Sequence, residues 1–136
     1  MKIICIVVLF SFLPANRAIA QNDTYTLTVN VAGFENDKGQ VLVSLETPDK
    51  KMVTGKKAGI KNQKAQIIFE SVPRGKYAVR LFHDANNNQK MDTNFVGLPK
   101  ENWGCSNNVK ARFGPPKFDE MLFILDKTQT IAVQMQ

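Results

Sequence analysis

The sequence has very little cysteine, with only Cys5 and Cys105 among its 136 residues. Cys5 lies in an apolar run that we predict is removed, so Cys105 remains without a partner. An internal disulfide bond is therefore excluded. A lone cysteine of this kind is either a small buried packing residue, which is the commoner case, or a reactive thiol. The fold must be stabilised by its hydrophobic core, with or without the help of a metal ion.

Long apolar runs are also missing after residue 20, and a transmembrane helix needs about 20 apolar residues. The early run, Ile3 to Leu13, follows the basic start Met1-Lys2 and precedes the small-x-small sequence Ala18-Ile19-Ala20. This pattern is typical of an export signal. We predict that residues 1–20 are a signal peptide, that Gln21 becomes the new N-terminus, and that the protein is periplasmic or secreted. Cys5 is too early in the run for a lipoprotein cleavage site.

The charge of the remaining chain is mildly basic. Loss of Lys2 and Arg17 leaves 16 basic and 12 acidic residues, so the net charge falls from +6 to +4. About 115 residues are enough for one core, and we predict a single domain at residues 21–136. Six lysines crowd into one segment: Lys50, Lys51, Lys56, Lys57, Lys61 and Lys64. They are interpreted as a solvated loop, since no aromatic residues interleave with them as in a nucleic-acid site; we predict no nucleic-acid partner.

Alternation of apolar and polar residues predicts short β-strands through most of the chain. Tyr25 to Val31 and Gln40 to Glu46 alternate around the turn-forming residues 36–39, and we predict that they form a hairpin. Residues 47–64 lose the pattern and are interpreted as an exposed crossover. Further strands are predicted at residues 65–72, 77–84, 120–125 and 130–135, with a long ordered segment at 94–118.

Short strands without an amphipathic helix favour an all-β fold. We predict an antiparallel sandwich of about six or seven strands, in which the polar loop after Asp84 and the long segment cover one end. In the strand that precedes the loop, Tyr77, Val79, Leu81 and His83 share one face, and Ala78, Arg80, Phe82 and Asp84 share the other.

Several distinctive segments occur in a fixed order along the chain. They are V-P-R-G-K-Y, F-H-D, N-N-N-Q-K-M-D-T-N-F-V-G-L-P, W-G-C-S-N-N and R-F-G-P-P-K-F. Together they resemble the bacterial family named domain of unknown function 2141, over nearly the whole mature chain. The resemblance implies an exported sandwich of immunoglobulin-like or transthyretin-like type, and no known activity. The family's loop commonly reads D-x-N-x-N-G-x-x-D, whereas this chain has Gln89 at the glycine position, where a Cβ costs roughly 1 kcal/mol or more.

The loop after the F-H-D strand end carries an oxygen-bearing side chain at nearly every second position. Asp84, Asn86, Asn88 and Asp92, with the backbone carbonyl of Lys90, are the ligand types that calcium prefers. They predict a weak calcium site, because only two carboxylates contribute unless Glu101 or Asp119 folds over the loop. The alternative is that these side chains cap their own turns without an ion.

The sharpest enzymatic alternative pairs Cys105 with His83, the only histidine, with Asn107 or Asn108 orienting the ring. It would make the protein a small exported hydrolase or thiol enzyme. Ser106 lacks the G-x-S-x-G setting of a serine hydrolase. Otherwise His83 is a hydrogen-bonded residue at the end of its strand.

Three aromatic residues in the long segment, Trp103, Phe113 and Phe118, are candidates for a recognition surface. The alternative is that they plug the end of the sandwich as core residues. The Asn94, Asn107 and Asn108 amides are expected to tie this segment to the Asp84 turn. More residues fit a non-catalytic module than an enzyme, and we predict that it binds a protein, a glycan or a cell-envelope component.

Overall fold

The computed structural model describes residues 23–136, so the predicted signal peptide at residues 1–20 lies outside it. The described strands form two sheets that enclose one main core, which confirms the all-β sandwich. They are β1 (Thr24–Ala32), β2 (Gln40–Glu46), β3 (Met52–Gly59), β4 (Lys64–Pro73), β5 (Gly75–Asp84), β6 (Trp103–Cys105), β7 (Phe123–Leu125) and β8 (Gln129–Gln134). One short helix, α1 (Phe118–Met121), precedes β7. Among residues 23–136 we find no helix with the length and hydropathy to span a bilayer.

The smaller sheet has the strand order β4-β1-β8. β1 is antiparallel to β4 but parallel to β8, so the antiparallel sandwich contains one parallel pairing. The larger sheet has the order β3-β2-β5-β6, and β7 pairs with the first residues of β5. The chain therefore crosses from the larger sheet back to β1 at its end.

The predicted hairpin of the first two strands is wrong, because β1 and β2 belong to different sheets. Each has one apolar face, and such strands can either pair side by side or face each other across a core. Alternation alone does not distinguish these arrangements. The turn between them is held instead by Asp37, whose carboxylate accepts the N–H groups of Asn62 (2.8 Å) and Gln63 (2.7 Å).

The predicted crossover at residues 47–64 is also wrong, because it contains β3. This edge strand pairs only with β2, and most of its residues are exposed on both faces. It therefore lacks the alternation that marks a half-buried strand. The expected strand at 120–125 begins within the helix α1, and the strand β7 starts only at Phe123.

The main core lies between the sheets and draws on both. Its buried residues are Leu27, Val29, Val31, Phe34, Val41, Val43, Leu45, Ile60, Ile67, Phe69, Val72, Tyr77, Val79, Leu81, Leu125, Val133 and Met135. The core leaves the outer face of the larger sheet available for a site.

Candidate functional site

The larger sheet has an inner face that packs on the core and an outer face that does not. On β5 the buried side chains of Tyr77, Val79 and Leu81 belong to the core. Arg80 and Phe82 alternate with them and remain partly or largely exposed. The two faces predicted for this strand are therefore confirmed.

Strand register assembles the outer face into rows. Directly paired residues of neighbouring strands project to the same side of a sheet. One row therefore contains Lys57, Leu42, Phe82 and Trp103, from β3, β2, β5 and β6. The next row contains Gly55, Ser44, Arg80 and Cys105.

These rows form the floor of a groove of about 720 Å³, which we call the outer-face groove. The chain segment around Pro115 and Pro116 and the start of the Asp84 loop, at Gln89 and Met91, form its walls. Met52 of β3 lines it from the opposite edge. Aliphatic, methionine, proline and aromatic side chains dominate this lining.

A buried carboxylate lies beside the groove floor. Glu46 is 3% exposed, and its two oxygens accept hydrogen bonds from Arg80 Nε and Nη2, both at 2.9 Å. Ser44 Oγ donates to the same carboxylate at 2.7 Å. The Phe118 ring lies 6.0 Å from the Arg80 guanidinium carbon. Arg80, Ser44 and Glu46 are therefore paired with one another, whereas Lys57 makes no side-chain hydrogen bond or ion pair among the described residues.

Asp84 closes one end of the outer face and is fully buried. Its oxygens accept hydrogen bonds from Gln40 Nε2 (2.9 Å) and from the backbone N–H groups of Asn88 and Gln89 (both 3.0 Å). Burial by itself raises the pKa of this carboxyl, but the hydrogen bonds together outweigh burial and lower it. Gly39 packs so closely here, at φ 71°, that a Cβ would lie 2.1 Å from the Asp84 carbonyl oxygen.

The other predicted calcium ligands lie in the loop that follows, and they bond to one another. Asn86 Nδ2 and Asn88 Nδ2 donate to the two oxygens of Asp92, at 2.6 and 2.9 Å. The amide oxygens accept backbone N–H groups two residues ahead, Asn86 from Asn88 and Asn88 from Lys90. The Lys90 side chain is exposed. The loop thus holds its shape with side-chain caps.

Of the two acids that could strengthen the site by folding over this loop, Glu101 reaches it. Its oxygens accept the N–H groups of Ala85 (3.2 Å) and Asp92 (3.1 Å). Asp119 lies in α1 and makes no side-chain hydrogen bond to the loop. Within residues 23–136 no three His, Cys, Asp or Glu side chains are grouped to hold a metal ion. An ion at this loop would therefore need the asparagine oxygens as ligands.

The structure confirms the strained position inferred at Gln89. Its φ is 62°, in the left-handed region that glycine adopts without cost. Gln89 is thus held in this conformation by its N–H bond to Asp84 and by the turn around it.

Cys105 and His83 lie on opposite faces of the larger sheet. Cys105 pairs with Arg80 on the outer side, is 1% exposed and packs with Ala78 and Met121. Burial raises the pKa of its thiol. The His83 ring lies on the inner side, where Nε2 is 2.6 Å from the Lys38 carbonyl oxygen. The thiol and the imidazole therefore do not form a nucleophile and base pair in this structure.

Residues 106–108 anchor the chain after β6. Ser106 Oγ donates to the Met121 carbonyl at 2.6 Å and accepts the Val79 N–H at 3.0 Å. Asn107 Nδ2 donates to carbonyls at the end of α1, and Asn108 bonds to β8. The expected ties from Asn107 and Asn108 to the Asp84 turn are thus wrong, because these amides hold α1 and β8 instead.

The three aromatic candidates lie outside the core between the sheets. Trp103 lines the outer-face groove, and Phe118 stacks beside Arg80 and Lys50. Phe113 is fully exposed two residues before Pro115. The structure therefore brings Trp103 and Phe118 to the outer face and leaves Phe113 in solvent.

The sequence reasoning missed the aliphatic part of the groove, above all Met52, Met91 and Leu42. Leu42 could have been found by pairing β2 with β5, since it lies opposite Phe82. No sequence pattern could have placed Met52 at the groove, because β3 was not predicted.

Comparisons with known proteins identify a family. The family DUF2141, described as "Uncharacterized protein conserved in bacteria", matches residues 29–132, which run from β1 to β8. No curated protein and no solved structure matches the chain. The matched range covers well over half of the sequence, and the chain therefore belongs to the DUF2141 family of bacterial proteins.

Proposed function

We propose that this protein is a non-catalytic binding module, exported after loss of residues 1–20, whose outer-face groove takes an apolar segment of a partner protein. The observation that carries the proposal is the groove itself, at about 720 Å³. Ligand sites typically measure about 300 to 1,000 Å³ and have mainly apolar walls.

The chemistry of the lining favours an apolar protein segment over a glycan. Sugars need many free hydrogen-bond partners, but Ser44 and Arg80 are already bonded to Glu46 and Lys56 is bonded to the Ile68 carbonyl. Of the other polar side chains in the described lining, only Lys57 and Gln89 are without such a bond. Met52, Met91 and Met121 line the groove, and methionine adapts its shape to varied apolar side chains. Trp103 adds an aromatic anchor of the type that dominates protein interfaces.

The nucleophiles near the groove support a non-catalytic role. A buried thiol whose pKa is raised is a poor nucleophile at neutral pH, and Cys105 has no imidazole beside it. Ser106 is occupied as a structural donor and acceptor. No observation favours the hydrolase or thiol-enzyme alternative.

The experiment uses two neighbouring positions of β3. Met52 is 67% exposed and lines the groove, whereas Val53 is 46% exposed and does not line it. Immobilised wild type, Met52→Glu and Val53→Glu are each incubated with envelope extract, and captured proteins are identified by mass spectrometry. We expect Met52→Glu to lose a protein that wild type and Val53→Glu retain. Equal capture by all three, or displacement by oligosaccharides only, contradicts the proposal.

The calcium site is proposed as a second, separable feature of the Asp84 loop. Its support is that Asp92 and Glu101 share the loop without forming an ion pair to any described basic side chain. Binding must replace the amide bonds to Asp92, so the affinity is weak. With a dissociation constant of about 10⁻³ M, calcium at about 5 mM adds about 1 kcal/mol to stability. Calcium should raise the melting temperature of wild type but not that of Asp92→Asn. The site is contradicted if calcium leaves both melting temperatures unchanged.

A further inference from the structure

The loop beyond Asp92 ends in an exposed apolar tip. Phe95 is 101% exposed, Val96 is 64% and Leu98 is 60% exposed, so all three face solvent. Phe113, in the segment that walls the groove, is 107% exposed. Large apolar side chains grouped in solvent mark interaction sites more often than chance exposure does. None of these residues lines the outer-face groove. We call the exposed group Phe95, Val96 and Leu98 the apolar tip.

Four backbone N–H groups of the loop at the apolar tip have hydrogen-bond partners within that loop. Asn94 N–H donates to the Leu98 carbonyl at 2.8 Å, and Gly97 N–H donates to the Asn94 carbonyl at 2.9 Å. Asn94 Oδ1 accepts the N–H groups of Val96 (3.0 Å) and Leu98 (2.9 Å). Each backbone group that has a partner within the protein lowers the cost of moving a loop into an apolar layer. These four N–H groups therefore need no water.

The stretch of sequence that contains the apolar tip and Phe113 carries a net positive charge. Residues 86–117 contain five basic side chains and two acidic ones, a net charge of +3; the basic ones are Lys90, Lys100, Lys110, Arg112 and Lys117. None of the five forms an ion pair among the described residues. The two acids, Asp92 and Glu101, accept hydrogen bonds within the loop, and the next acids, Asp119 and Glu120, lie in α1.

We propose that the apolar tip inserts into the surface of a lipid bilayer that carries anionic headgroups. Phe95 and Leu98 enter the interface, Phe113 adds a second contact, and the flanking lysines and Arg112 lie at the headgroup level. An apolar face rimmed by lysine and arginine is the combination that interfacial binding requires. Anchoring here leaves the groove, on the outer face of the sheet, open to a partner.

The test measures co-sedimentation with vesicles of phosphatidylcholine, with and without phosphatidylglycerol. The chain begins at Gln21, because the apolar run at residues 3–13 would itself bind lipid, and the core lies within residues 27–135. The variants are Phe95→Ser with Leu98→Ser, and separately Phe113→Ser. The control is Ile124→Ser, which alters a side chain that is 61% exposed on β7.

We expect wild type and Ile124→Ser to bind vesicles that contain phosphatidylglycerol, and the Phe95 and Leu98 double variant to bind about tenfold more weakly. High salt should weaken wild-type binding. Equal melting temperatures establish that the variants are folded. The proposal is overturned if wild type does not bind anionic vesicles, if Ile124→Ser loses binding equally, or if the tip mediates self-association instead of lipid binding.

Discussion

Replacement of Asp84 by asparagine tests how the loop at the end of the groove is held. The substitution keeps the size of the side chain but exchanges one acceptor oxygen for an NH₂ group. In the structure both carboxylate oxygens are occupied by donors, from Gln40 and from the backbone of Asn88 and Gln89. Since Asp84 is fully buried, the new donor has no water to bond to.

The cost follows from those contacts. In the less costly orientation the NH₂ group faces the Asn88 N–H, which keeps its second bond to the Asn86 oxygen. A buried donor without an acceptor costs about 1 to 3 kcal/mol, and each bond that remains to a neutral oxygen is about 1 kcal/mol weaker than a bond to a carboxylate. We therefore expect Asp84→Asn to lower the free energy of unfolding by about 2 to 4 kcal/mol.

The effect should depend on pH. The pKa of Asp84 is lowered because its hydrogen bonds outweigh the opposing effect of burial. A carboxyl whose pKa is lower in the folded chain stabilises the fold above its unfolded pKa of about 4, and this contribution is lost as the pH falls through the folded pKa. The difference between wild type and Asp84→Asn should be constant near neutral pH and shrink below about pH 4.

Urea unfolding followed by circular dichroism, with chelator present, measures the effect. With a slope of about 1.5 kcal/mol per M, the midpoint of Asp84→Asn should fall by about 1.3 to 2.7 M. Asp92→Asn is the control, because Asp92 is only half-buried and should cost less than about 1 kcal/mol. The reasoning is refuted if Asp84→Asn lies within about 0.5 kcal/mol of wild type, or if the difference is the same at about pH 3 as at about pH 6.

Three further predictions concern neighbouring positions. Ser106→Ala should lower the free energy of unfolding by about 1 to 3 kcal/mol, because the Val79 N–H and the Met121 carbonyl lose a buried partner; thermal unfolding measures it, and an unchanged melting temperature would contradict it. Gln89→Gly should raise stability by about 0.5 to 1 kcal/mol, because φ is 62° at this residue, and a loss in urea unfolding would show that the Gln89 side chain contributes more than its strain costs. Cys105 should resist alkylation by iodoacetamide at neutral pH until urea unfolds the protein, because it is 1% exposed and burial raises its pKa. Mass spectrometry detects the adduct, and rapid labelling of the folded protein would contradict this prediction and favour the thiol-enzyme alternative.

The sequence predicted those strands that have one buried and one exposed face. β1, β2 and β4 alternate clearly, since the core buries every second residue, and β5 does so from Val79 to Phe82. β3 has no buried face, and β6 has only three residues, so neither shows an alternation of apolar and polar residues that would predict a strand. Sheet membership depends on long-range pairing, which is why the expected hairpin of β1 and β2 was wrong.

The candidate site was predictable only in part, for the same reason. The spacing of Asp84, Asn86, Asn88 and Asp92 located a loop whose side chains do meet in the structure. The groove depends on the register of four strands, which places Leu42, Phe82 and Trp103 in one row although they lie far apart in the sequence. Periodicity reports which face a residue occupies, but not which residue lies beside it.

Photo-crosslinking in the bacterium tests the central claim, that the outer-face groove is the binding site, most directly. Met52 and Val53 are replaced in turn by p-benzoylphenylalanine, which places the reactive ketone at the groove in the first case and away from it in the second. We predict a discrete crosslinked protein from position 52 that is missing from position 53. Equal crosslinking from both positions, or none from position 52, would contradict the account.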